Sequence, residues 1–450
     1  MSAAFLIGLT VVSILVLLFL IIVLRMQAFI ALLLVSLLAA VAGGIPAGEI
    51  IDTIQQGMGG ILGYIAVVIG IGTMIGEMLH VSGGAKQIAD TIIKGFGERK
   101  APWALSLIGL IVAIPVFFEV ALILFIPLVY NITKKTGKSI LRYGIPLAAG
   151  IAVAHSFIPP TPGPVAVAAL IGADLGWVIF FGLIAGIPAT IVGGIFFGRY
   201  IGERINVGVP EKMVATVPGI ELGGERRKPG FGIAVAIIIV PLILILSNTA
   251  TNVWLGEDHT LSQWMSFVGH PFSALMISIL MAFYFLGTKL GFTREEVQRV
   301  ATKSMEPVGM IILLTGAGGV FGRVLVATGV GEVLVDVMSS TNLPVVLFAF
   351  LVATVIRVAQ GSATVAMVTA AGLIAPIIEM GSYSPPLIGT IVIAIACGAT
   401  VLSHVNDSGF WLVKEYMGLT EKQTLKSWTI METIIGVTGV SIVLVISFFL

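Results

Sequence analysis

Long apolar runs separated by short polar intervals cover nearly the whole chain. They are Ala4–Leu24, Phe29–Ala42, Ile61–Leu79, Trp103–Ile132, Leu141–Ile171, Trp177–Phe197, Phe231–Leu246, Phe272–Gly287, Val308–Val326, Val345–Met380, Leu387–Met417 and Trp428–Phe449. A helix crossing a bilayer needs about 20 apolar residues, so the pattern predicts an all-α polytopic membrane protein. The first run lacks a basic n-region and is long enough to span, which reads as a retained helix rather than a cleaved signal. Two runs are interrupted by residues that cannot continue a helix, at 155–164 (HSFIPPTPGP) and 403–409 (SHVNDSG). Broken backbone at membrane depth survives only where protein buries it or a cavity lies beside it.

The positions of the basic residues set the expected topology. In one orientation 21 of the 24 Lys and Arg fall in loops on a single side, around Arg25, Lys86–Lys100, Lys134–Arg142, Arg199–Lys228, Lys289–Lys303 and Lys422–Lys426. Arg323, Arg357 and Lys414 lie within apolar segments, and the opposite loops hold no Lys or Arg. The positive-inside rule then places both termini outside. This closes only if two segments do not cross. Trp103–Ile132 is bracketed by basic residues at both ends and is long for one span but short for two. A re-entrant helical hairpin at about 103–132, with a counterpart at about 345–380, satisfies both facts.

The halves also resemble each other. Gly72 and Gly76 followed by Ser82-Gly83 match Gly318 and Gly322 followed by Thr328-Gly329, a shift of 246 residues that also carries Gly163 to Gly409 and Gly172 to Gly418. Each half orders its parts as helix, hairpin, broken helix, helix, and the charge argument inverts one half against the other. Inverted repeats with discontinuous helices mark alternating-access transporters. The expected units are N-terminal scaffold helices (1–58), a first inverted repeat (59–200), a basic loop with linking helices (201–305) and a second repeat (306–450). The broken helices are expected at about 141–171 and 387–417.

Composition sharpens this picture. Hydrophobic residues make up 58% and charged residues 10%, with a mean hydropathy of +1.11, where a soluble domain is roughly a quarter charged. Cys397 is the only cysteine, which excludes an internal disulfide or a cysteine metal cluster. The sequence has no HExxH motif and no Walker motif, so metalloprotease and ATP-driven chemistry are not expected. No cofactor, metal or nucleic-acid partner is implied. A channel is the nearest rival, but a pore built by oligomer symmetry does not call for an internal inverted repeat.

The stretches 316–331 (GAGGVFGRVLVATGVG), 360–371 (QGSATVAMVTAA), 403–420 (SHVNDSGFWLVKEYMGLT), 115–120 (PVFFEV) and 159–164 (PPTPGP) together resemble the gluconate permease family of proton symporters, within the ion transporter superfamily. The resemblance spans essentially the whole chain. It implies a bacterial inner-membrane carrier of gluconate or a related sugar acid, a small organic anion, moved with protons. Members also carry other hydroxylated acids or D-serine, and sodium is the alternative coupling ion. The family's first break reads PPHPGP, whereas Thr161 stands here in the histidine position.

Charges kept inside the membrane are functional candidates, since each costs about 2.5–3.5 kcal/mol at a helix centre. Arg357, three residues before the expected tip Gln360–Thr364, can grip a carboxylate with two parallel hydrogen bonds; alternatively it is a structural partner of Glu119 or Asp407. Glu119 at the other tip and Asp407 in the second break are candidate proton carriers, and Asp407 alternatively caps the half-helix that follows. His155 and His404 precede the two breaks and are candidate relays or simply packed side chains. Ser362, Thr364, Asn406, Ser408 and Thr161 are candidate hydrogen-bonding partners of substrate. An elevator-type motion and a homodimer complete the expectation.

Overall fold

The computed structural model describes residues 2–210, 227–306, 308–341 and 343–450; part of the expected basic loop, 211–226, lies outside them. Among the described residues the secondary structure is helical, with no strand. Nine helical stretches there are long and apolar enough to cross a membrane, and Ala28–Ala42, Val345–Gln360 and Pro385–Thr400 are shorter apolar helices. The expected unit boundary at residue 59 falls inside a single helix, Ala47–Val81.

The two halves run through their elements in the same order. Helix Ala47–Val81 corresponds to Arg294–Ser304 with Val308–Ala327, and Gly84–Phe96 to Val330–Thr341. Next come the helix pairs Ala101–Val112/Phe118–Thr136 and Val345–Gln360/Ala363–Met380. The broken helices follow as Leu141–Phe157/Pro162–Ile171 and Pro385–Thr400/Ser408–Tyr416. The interruption in the long run Trp103–Ile132 lies at residues 113–117, and that in Val345–Met380 at Gly361-Ser362. Gly137 (φ 66°) and Gly172 (φ 68°) end two of these helices in the left-handed conformation open to glycine.

Small residues let the interrupted helices pack with their backbones in contact. Ala101–Val112 lies along Leu141–Phe157, where a Cβ on Gly109 would stand 2.6 Å from the Leu147 carbonyl oxygen. Val345–Gln360 lies along Pro385–Thr400, with Gly398 against the backbone of Phe350. Two long helices, Ala47–Val81 and Val308–Ala327, pack on each other, and both reach Pro162–Ile171 while Val308–Ala327 also packs on Ala363–Met380. Gly76 of the former receives the carbonyl of Pro115 in the first tip, and Gly318 and Gly322 of the latter meet Val368 and Gly372 of Ala363–Met380.

The first break is buried, the second is partly exposed, and side-chain hydrogen bonds brace both. In the first, Pro159 and Pro160, joined by a cis peptide, withhold two backbone donors, and the Thr161 hydroxyl donates to the Ile158 carbonyl at 2.6 Å. The second is braced from outside. Trp428 Nε1 donates to Ser403 Oγ at 2.7 Å, Thr429 Oγ1 to the Ser403 carbonyl, and Trp411 Nε1 to the Val405 carbonyl at 2.8 Å.

A polar cap elsewhere in the fold supplies a stability test. Asp174 caps helix Leu175–Ala189 through the Trp177 amide (3.1 Å) and accepts from Thr249 Oγ1 (2.7 Å), tying that helix to Phe231–Leu255. Asp174→Ala is expected to cost about 1–2 kcal/mol and to lower the unfolding temperature of the purified protein, leaving the apparent KM for substrate as in the wild type.

Candidate functional site

The first tip, the second tip and the second break converge on a cavity of about 100 Å³. Its wall includes Glu119 and Phe118 from the start of Phe118–Thr136, His155 and Ser156 from the end of Leu141–Phe157, and Arg357, Ser362 and Thr364 from the second pair. Asp407, Ser408, Trp428 and Glu432 complete it. Most of these side chains sit where a helix begins or ends, whereas Trp428 and Glu432 lie within the continuous helical stretch Glu421–Ser447.

Arg357 is the centre of the charge arrangement. It is 3% exposed, and its Nη2 stands 2.6 Å from Asp407 Oδ2, itself on a side chain 12% exposed. Of the two partners weighed for Arg357, the fold selects Asp407 rather than Glu119. Asp407 is fully occupied: Oδ2 also accepts from the Ser403 hydroxyl, and Oδ1 accepts from the Gly409 amide at 3.2 Å, capping Ser408–Tyr416. Capping and ion pairing therefore coexist on one carboxylate. The remaining guanidinium nitrogens, Nε and Nη1, are buried without a hydrogen-bond partner among the described residues.

The second tip is clasped to the second break through backbone. His404 Nε2 lies 3.0 Å from the Val358 carbonyl oxygen, and Asn406 Nδ2 donates to the same oxygen at 2.9 Å. Gly361 (φ 90°) brings its Cα against the Asn406 carbonyl, where a Cβ has no room. Ser362 caps Ala363–Met380 through the Val365 amide at 3.4 Å. His155 packs its ring 6.3 Å from that of Phe117, and its Nδ1 is buried without a partner.

Of the ten residues singled out from the sequence, seven line this cavity: Glu119, His155, Arg357, Ser362, Thr364, Asp407 and Ser408. Three do not. His404 and Asn406 are engaged with Val358, and Thr161 lines a separate small void with Gly72, Thr73 and Pro115. Arg323 pairs with Glu379 at 3.5 Å, both about half exposed, and Lys414 lies over the Trp411 ring at 5.1 Å. Sequence reasoning missed Ser403 and Trp428, and above all Glu432, which is 4% exposed with Oε1 unpartnered. Its signal was available as a lone acid inside the final apolar run.

A buried guanidinium with free donors, ringed by hydroxyls and carboxyls where helices are broken, is suited to hold and release a small carboxylate. Comparison with known proteins agrees in kind. A family model of GntP family permeases matches residues 5–449. The chain belongs to the GntP permease family. It is 41% identical over 427 residues to the low-affinity gluconate transporter of Escherichia coli K12, covering 95% of each chain. It is 38% identical to a gluconate permease of Pseudomonas aeruginosa over 94% of this chain and 93% of that one. A Bacillus subtilis gluconate permease is 36% identical over 97% of this chain and 98% of its own length. These relatives are transporters and permeases, not enzymes. The fold is similar to that of the Alcanivorax borkumensis YdaH transporter, with a TM-score of 0.64 at 12% identity, covering 94% of this permease and 98% of that chain. This permease is a multi-pass membrane protein.

Proposed function

We propose that this permease imports gluconate or a related sugar acid across the bacterial inner membrane, coupled to protons, by alternating access. The observation that carries the reading is Arg357, a buried cation on the cavity wall with two unpaired donors. A carboxylate is a natural acceptor for such charged, desolvated donors. Ser362, Thr364 and Ser408 on the same wall supply hydroxyls for a polyhydroxylated chain. At about 100 Å³ the cavity is small beside the roughly 300–1,000 Å³ of ligand sites, so a six-carbon acid enters as its walls part. Those walls are the two tips and the second break.

The parallel order of elements in the two halves, read with the charge asymmetry of the loops, supports an inverted repeat with both termini outside. The two helix pairs then act as re-entrant hairpins, moving with the broken helices in an elevator-like stroke against the remaining helices. Those helices pair two copies into a homodimer, an expectation from fold analogy.

The test is uptake of radiolabelled gluconate into proteoliposomes under an imposed pH gradient, with and without sodium. Accumulation that follows the pH gradient, ignores sodium and is competed by related sugar acids is the expected result. A requirement for sodium would replace the coupling ion, and no accumulation by folded protein would remove gluconate as substrate.

A further inference from the structure

The geometry points to Glu432 as the acid that carries the coupled proton, acting by competing with the substrate carboxylate for Arg357. This rests on the proton-coupled reading above and names the group that performs it. Four titratable side chains besides Arg357 line the cavity: Glu119, His155, Asp407 and Glu432. They differ in what already engages them. Asp407 has both oxygens committed to Arg357, Ser403 and Gly409. Glu119 is exposed at the cavity rim. His155 packs its ring near that of Phe117 and also has a buried nitrogen without a partner, but as a base it gains charge with its proton and would not free Arg357. Glu432 is buried and has no hydrogen bond or ion pair among the described residues.

Position strengthens the case. Glu432 lies in the first turn of Ile430–Ser447, directly after Trp428 and Thr429, the two residues that hold Ser403. Arg357 faces the cavity from Val345–Gln360, His155 from Leu141–Phe157, Glu119 from Phe118–Thr136 and Asp407 from the second break. The other titratable group packed on the Glu432 helix is Cys397, which lies against Gly436 and Gly439 further along it.

A charged carboxylate in a dry site must find a cation, and a neutral one need not. The cation available in the cavity is Arg357, whose Nε and Nη1 are buried and equally unpaired. To those donors the carboxylate of a sugar acid and the carboxylate of Glu432 are the same kind of ligand. With a proton on Glu432, they are left to the substrate. When the proton leaves, Glu432 takes them and the substrate is displaced. One proton and one monoanion then enter together, so the cavity carries the same net charge loaded as it does empty with Glu432 charged.

The experiment compares wild type and Glu432→Gln in proteoliposomes for two activities: gluconate accumulation driven by a pH gradient, and gluconate/gluconate exchange without one. Proton uptake on gluconate binding is measured in detergent by calorimetry in buffers of different ionisation enthalpy. The expected result is loss of pH-driven accumulation in Glu432→Gln, exchange persisting at a reduced rate, and one proton fewer taken up on binding. Glu432→Asp, which keeps an acid, regains part of the accumulation. If wild type and Glu432→Gln both accumulate gluconate, or take up equal numbers of protons, Glu432 is not the carrier and the proton-coupled reading stands. A Glu432→Gln protein that is folded but binds no gluconate also overturns the proposal, because the neutral amide leaves Arg357 free. Failure of wild type itself to follow the pH gradient removes the proton-coupled reading and this assignment with it.

Discussion

Arg357→Ala is expected to abolish gluconate uptake, lowering the initial rate at least about 100-fold, or about 2.8 kcal/mol at 1.4 kcal/mol per factor of ten. The substitution has two separable consequences. It removes the buried guanidinium from the cavity wall, and it strands the Asp407 carboxylate, which now accepts from Nη2 at 2.6 Å. Breaking one side of a buried pair costs about 3–5 kcal/mol of stability, so loss of function alone would not identify a substrate contact. Arg357→Ala combined with Asp407→Asn removes the stranded charge, and its unfolding temperature should recover toward wild type while uptake stays absent. Arg357→Lys keeps the charge but not the paired donors and should bind gluconate more weakly than wild type. A stable double variant with normal uptake kinetics would show that Arg357 is structural and that the substrate carboxylate is held elsewhere.

The second large effect is expected at Gly361. Its φ of 90° lies where a side chain is strained, at a cost of about 1–3 kcal/mol, and a Cβ there would collide with the Asn406 carbonyl. That carbonyl cannot withdraw freely, because the Asn406 and His404 side chains are both anchored on Val358. Gly361→Ala should therefore spread the second tip from the second break, pulling Arg357 away from Asp407. Uptake should fall below about a tenth of wild type, with a clear loss of thermal stability on the scale given. Wild-type uptake by Gly361→Ala would mean that the clasp opens at little cost and does not position the site.

Much of this architecture was legible in the sequence, because a membrane chain must hydrogen-bond its backbone internally and announces each exception. The breaks at 155–164 and 403–409 interrupted the apolar pattern, the two hairpins followed from run length and flanking charge, and helices end at each of these places. Arg357 and Asp407 stood out for a similar reason, as polar residues that a lipid-facing helix would not keep. What could not be read was pairing. Whether Arg357 meets Asp407 or Glu119 depends on how two tips approach through the fold. Thr161 sits in a break yet lines a different void, because the chain turns its hydroxyl onto Ile158. Glu432 was overlooked because the acids weighed were those at a tip or a break, although an acid within an unbroken apolar run is just as costly. Ser403 and Trp428 carry no formal charge, and only their placement against Asp407 gives them a role.

The contact of Gly76 with the carbonyl of Pro115 has a consequence for how this family of surfaces can vary. Where backbone rests on backbone, side-chain chemistry has no part in recognition and the neighbour senses volume alone. Gly322 meets the backbone of Gly372 less tightly, and Gly318 meets the Val368 side chain. A saturation library at these three positions should therefore sort variants by size, with alanine already impaired at Gly76 and with charged, polar and apolar residues of equal bulk lost alike. The seam is a mechanical tolerance cut into the sequence, and its fit is measured in ångströms rather than in affinity.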